Sequence, residues 1–156
     1  MDKPQIIEAI QSKNHKGLNL RWVDLSGVDL VGVNLSGFNL SNANLSNANL
    51  ANVNLSYANL ANANLYGANL SNGDLSFAKL SAARLCFAKF VKANLFKANL
   101  SNANLEHADL SEADLTAANL TKANLYRADL YRADMVNTVL YNADLTEAFM
   151  VDVILD

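Results

Sequence analysis

The 156-residue chain reads as an all-β solenoid, a single domain of stacked coils behind a short amino-terminal helix. Three observations carry that reading. From Leu20 to Leu155 every fifth residue is Leu, with Phe90, Met135 and Met150 the exceptions among 28 such centres. Two residues before each centre the side chain is Ala in 19 of 28 cases, and one residue before it is Asn or Asp in 22 of 28. No insertion or deletion breaks this A-[N/D]-L-x-x register.

The first element is a capping helix. Pro4 suits a helix start, Ile6, Ile7 and Ile10 form one apolar face, and Gly17 follows the helical stretch, so the pattern predicts a helix over residues 4 to 14. The division expected is a cap over residues 1–16 and repeats over 17–156.

The repeats fit neither ordinary element. On an α-helix, five residues advance by about 500°, a net rotation of roughly 140°, so the leucines would circle the axis without forming a stripe. On a flat strand an odd period sends alternate leucines to opposite faces. The chain must therefore turn once per repeat so that each Leu points inward again. Stacked coils would then lie about 4.8 Å apart, bonded backbone to backbone. Ala suits the second inward position because a thin tube has no room for two large residues per side. Val28, Val33, Phe38 and Val53 at that position imply a wider early end.

This pattern resembles the pentapeptide-repeat family, and the likeness covers residues 16 to 155, or 28 quintets. The resemblance implies a right-handed quadrilateral β-helix of about seven 20-residue coils, with Leu20, Leu25, Leu30 and Leu35 as the centres on four sides of the first coil. It resembles the plain, loop-free members encoded in cyanobacteria. Departures before the centre are Lys79, Arg84, Lys89, Val139, Phe149 and Ile154.

Residues twenty apart stack on one face, which makes the outer surface legible. One series runs Lys92, Glu112, Arg132, Asp152, an alternating-charge ladder, and the next runs Phe87, His107, Arg127, Glu147. Asn42 with Asn62, and Asn52 with Asn72, are expected to form amide ladders. The net charge of -3 argues against a general nucleic-acid binder. Charge is nevertheless zoned: residues 79–104 carry +5 and residues 105–156 carry -7. The basic belt of Lys79, Arg84, Lys89, Lys92 and Lys97 lies in the same zone as Phe77, Phe87 and Phe96. These eight residues are the candidate partner site. A basic patch bearing aromatics suits an acidic protein surface, a phosphate group or a single strand. Lysines spread around three sides cannot all meet one ligand, and the expectation is a protein partner without direct nucleic-acid or membrane contact.

At the carboxyl end, normally outward positions turn apolar: Val136, Val139, Phe149, Val151 and Ile154. An uncovered β edge invites pairing, so these residues are expected to form a two-fold homodimer interface.

No catalytic constellation emerges. Two distant histidines, His15 and His107, and the single Cys86 do not make a zinc site, and no cofactor is expected. Cys86 lies beside Arg84, which would lower its pKa, but a nucleophile also needs a base and a pocket. Gly27, Gly32 and Gly37 recur every five residues and serve turns. A filled tube offers no cleft of ordinary ligand size. With a lone cysteine and no long apolar run, the chain reads as soluble, reduced and cytoplasmic. The function expected is a non-enzymatic interaction or scaffold rod. The family resemblance supplies an alternative, a DNA mimic that protects DNA gyrase through the acidic residues 105–156. A second alternative is a structural or stress-related rod with no specific partner.

Overall fold

The computed structural model describes residues 3–12 and 18–155. Its helix, α1, spans Lys3–Gln11. It starts one residue before Pro4 and ends short of residue 14; residues 13 and 14, Gly17 and the expected boundary after residue 16 lie outside the described residues. Ile6 and Ile10 are buried in the core and Ile7 packs beside them. Polar contacts pin the same helix to the first coil. Lys3 Nζ donates to Ser26 O at 2.6 Å and lies 4.0 Å from Asp24 Oδ2, while Gln11 Nε2 donates to Asp29 O at 3.4 Å.

From residue 18 the chain winds as a right-handed, four-sided β-helix. Parallel bridges join residues twenty apart, from Asp24↔Asn44 to Asp134↔Ile154. Each corner is a four-residue turn in which a centre carbonyl accepts the N–H three residues on, as Leu40 O does from Ala43 at 3.0 Å. The third residue of each turn is left-handed, the mark of a type II turn. Among the described residues 23 non-glycine residues take this conformation, with φ between 54° and 60°, as do Gly27, Gly32, Gly37 and Gly67. A left-handed L-residue costs about 1–2 kcal/mol. The penalty recurs because the coil cannot close without it.

The Asn or Asp before each centre anchors the next turn. Its Oδ1 accepts the N–H two residues on, as Asn39 does from Ser41 at 3.1 Å and Asp114 from Thr116 at 2.9 Å. Its Nδ2 reaches the neighbouring coil: Asn44 donates to Asp24 and Asn64 to Asn44, both at 3.1 Å, and Asn124 donates to Asn104 at 3.2 Å. The amide ladders therefore run one residue before the centre. Among the described residues no side-chain bond joins Asn42 to Asn62 or Asn52 to Asn72, because those asparagines occupy the left-handed turn position.

The leucines converge on one column, fully buried from Leu20 to Leu130, and Phe90 takes a leucine place without exposure. Bulk is balanced coil by coil. Val53 is buried and Gly73 stands twenty residues later in the same position; a Cβ at Gly73 would lie 3.4 Å from Val53 Cγ1. The missing side chain at Gly73 leaves room for Val53. Val33 and Phe38 are only partly buried. Beyond Met135 the column opens: Leu140 and Leu145 are half-buried, and Met150 and Leu155 are 36% and 54% exposed.

Candidate partner-binding surface

The fold distributes the eight belt candidates around the rod and gathers three of them at one corner. There Tyr57 and Phe77, twenty residues apart, stack with centroids 4.8 Å apart and planes 2° from parallel, the coil spacing itself. Phe96 meets Phe77 edge-on at 5.5 Å, and Lys97 Nζ lies 5.1 Å from the Phe96 ring and 5.8 Å from Phe77. Tyr57 is 63% and Phe77 37% exposed, so the ladder faces solvent with a cation at its end. Lys79 is exposed on the adjoining side, two residues from Phe77.

Phe87 stands apart, two sides further around the coil. It stacks on His107 at 4.9 Å, with Tyr66 edge-on to Phe87 at 5.5 Å and Tyr126 edge-on to His107 at 6.2 Å. Tyr66 and Tyr126 escaped the sequence reading because their partners lie 21 and 19 residues away instead of 20. Arg127 stacks over Tyr126 at 4.9 Å and its Nε donates to Glu147 Oε2 at 2.6 Å. That pairing raises the Arg127 pKa and holds the Glu147 carboxyl below its ordinary value. Of the expected charge ladder two rungs form: Lys92 lies 3.5 Å from Glu112, and Arg132 lies 3.5 Å from Asp152, while no ion pair joins Glu112 to Arg132 among the described residues.

Lys79, Arg84 and Lys89 are exposed on three successive sides. Each replaces the residue type that anchors a turn, and among the described residues no Asn or Asp Oδ1 accepts the N–H groups of Ser81, Cys86 and Val91 as it does at neighbouring turns. Arg84 also interrupts an amide ladder that runs from Asp24 to Asn64 and resumes at Asn104.

Cys86 is half-buried. Burial pushes its thiol pKa up, and the Glu106 carboxylate one coil on pushes it further, so the expected lowering by Arg84 is overcome. The view of the rod as free of clefts also needs correction. A cleft of about 320 Å³, open to solvent, lies between α1 and the first coil, lined by Lys3, Ile6, Asn19, Arg21, Val23 and Asp24. Among the described residues no three His, Cys, Asp or Glu side chains gather closely enough to hold a metal ion. No helix among them is long and apolar enough to cross a membrane.

At the carboxyl end Val139, Phe149, Val151 and Ile154 are exposed, while Val136, one coil earlier, is half-buried. Phe149 meets Tyr131 at 6.3 Å.

The family model for pentapeptide repeats matches the chain in eight copies, over residues 14–42, 43–80, 78–116, 98–135 and 118–156. Among solved structures, a pentapeptide repeat protein from the Arabidopsis thaliana thylakoid lumen is similar at 31% identity and a TM-score of 0.62, over 63% of this chain and 68% of that one. The pentapeptide repeat protein Rfr23 from the cyanobacterium Cyanothece 51142 is 24% identical with a TM-score of 0.48, over 99% of this chain and 100% of that one. QnrB1, a plasmid-mediated fluoroquinolone resistance protein, is 18% identical with a TM-score of 0.47, over 85% of this chain and 79% of that one. No curated protein matches.

Proposed function

The chain belongs to the pentapeptide-repeat family, and from that premise we propose that it is a non-enzymatic interaction rod that docks an acidic protein partner on its basic, aromatic-bearing belt. The observation that carries this is the corner of Tyr57, Phe77, Phe96 and Lys97: an exposed ring ladder ending in a cation, with Lys79 beside it. Rigid aromatic surface lowers the entropy cost of docking, and the two lysines supply charge complementarity. Solenoids commonly present partners with such a fixed array.

Phe87 and Lys92 belong to other corners, and Lys92 already faces Glu112, so this reading places the contact on one edge. Capture from native extract tests it with two variants. Tyr57→Ser/Phe77→Ser/Lys97→Ser should lose a partner that the wild type retains, and Lys79→Asn/Arg84→Asn/Lys89→Asn should weaken it. Equal capture by all three proteins would overturn the assignment.

The open last coil supports a second contact. Val139, Phe149, Val151 and Ile154, with Met150 and Leu155, form an apolar end face that suits a two-fold homodimer, with Val136 beneath it. The DNA-mimic alternative draws less support from the surface, because Glu112, Glu147 and Asp152 of the acidic zone are each paired with a cation. A lone cysteine suits a reducing compartment such as the cytoplasm.

A further inference from the structure

Within the rod every coil bonds to the next in one pattern. A centre N–H donates to the residue before the next coil's centre, as Leu25 does to Asn44 O at 2.7 Å. The left-handed turn residue donates to the residue before it one coil on, as Gly27 does to Ser46 O at 2.8 Å. At the last coil the corresponding N–H groups, those of Leu145, Glu147 and Met150 among them, point along the axis with no coil beyond them among the described residues.

At the other end α1 occupies two of the matching acceptors. Ser26 O takes Lys3 Nζ at 2.6 Å, and Asp29 O takes Gln11 Nε2 at 3.4 Å. These carbonyls hold the positions that accept, elsewhere in the rod, the backbone N–H groups of a preceding coil. Ile6 and Ile10 meanwhile cover the first leucines. The helix thus supplies from side chains both the donors and the apolar lid that a preceding coil would supply from its backbone and core.

We propose that α1 is a plug over a docking edge whose occupant is the last coil of a second copy of this chain, joined head to tail. The register is continuous. The centre after Leu155 would fall at 160, seven whole coils beyond Leu20, so like sides meet like sides. In the join, Glu147 N–H meets Ser26 O and Met150 N–H meets Asp29 O of the second copy, where Lys3 and Gln11 now sit. One like-charge contact arises, Asp144 on Asp24, and the rod already stacks Asp109 on Asp129 and Asp114 on Asp134. With α1 seated, the last coil is the open edge among the described residues and pairs two-fold; with α1 released, the last coil exchanges that pairing for a head-to-tail join to a first coil, and association continues. The inference rests on α1 and the last coil alone, independent of the belt.

Full-length variants test it by light scattering and electron microscopy, with circular dichroism to verify the β-helix. Ile6→Asp/Ile10→Asp should give rods that lengthen by about 34 Å per added copy, seven coils at about 4.8 Å each. Lys3→Glu/Gln11→Glu, which keeps both isoleucines, provides the same readout if the first variant loses its β spectrum. Adding Phe149→Lys/Ile154→Lys to either should stop growth, yet this blocked protein should still form a one-to-one complex with wild type through its freed first coil. Folded plug variants that keep the wild-type mass at high concentration would overturn the proposal, as would self-association of the blocked protein.

Discussion

Replacing Lys79, Arg84 and Lys89 by Asn should stabilise the rod while weakening its partner contact. The structure sets the size of the effect. At most other positions before a centre, an Asn or Asp Oδ1 accepts a turn N–H at 2.9–3.3 Å, and the three basic residues leave Ser81, Cys86 and Val91 without that acceptor. A net hydrogen bond contributes about 0.5–1.5 kcal/mol, and these sites are exposed enough to fall toward the lower figure. Arg84→Asn should contribute most, since it also bridges the amide ladder between Asn64 and Asn104. Summed, the triple variant should gain roughly 1–3 kcal/mol, or about 2–10 °C in melting temperature for a chain of this size. Thermal and urea melts followed by circular dichroism, on each single variant and the triple, provide the measurement. If no single variant rises, the reading of these positions as stability surrendered for surface chemistry is wrong. A higher midpoint together with lost capture would separate the surface role from the structural one.

Three further outcomes follow from the same geometry. Gly73→Ala should destabilise by about 1 kcal/mol through the approach of its Cβ to Leu70 O at 3.0 Å, with Val53 Cγ1 and Leu75 Cδ1 at contact distance (3.4 Å), so Val53→Ala in the same chain should not recover the loss; recovery in the urea midpoints would overturn this packing account. Asp24, Asp144 and Glu147 have carboxyl pKa values below ordinary, through hydrogen bonds from Ser26, Thr146 and Arg127 respectively. Their contribution is present above the unfolded carboxylate pKa of about 4 and is lost as pH falls through the lowered folded values, so acid melts should start at lower temperature, with Arg127→Ala reducing the pH dependence. In a DNA gyrase supercoiling assay with a quinolone, the protein should leave inhibition unchanged; restored supercoiling would favour the DNA-mimic alternative.

The leucine period was enough to dictate a coil that turns at each quintet, because no other arrangement directs Leu20 through Leu130 to one column. The left-handed turn residue was not legible. Trp22, Phe77, Lys92 and Glu112 share φ near 60° without sharing any propensity for it, since closure of the coil, a tertiary demand, imposes the angle. The same blind spot misplaced the amide ladders, which need the strand-like spacing of Asn44 and Asn64. In the candidate site, arithmetic in twenties recovered His107 above Phe87. It missed Phe96 against Phe77, because neighbouring turn residues lean across coils and meet at intervals of 19 and 21. Applied to Cys86, the same arithmetic would have found Glu106, though burial, the larger cause of the raised thiol pKa, shows only in the fold.

The third residue of each turn adopts one backbone angle whether it is Trp, Asn, Phe, Ala, Lys, His or Arg. Along each edge, then, is a row of sockets that accept aromatic, amide, small and charged letters alike, with none of them β-branched among the described residues. Mutation can respell what the rod displays, one rung at a time, while the scaffold beneath stays the same. A lineage of such rods would diverge in vocabulary long before it diverged in shape.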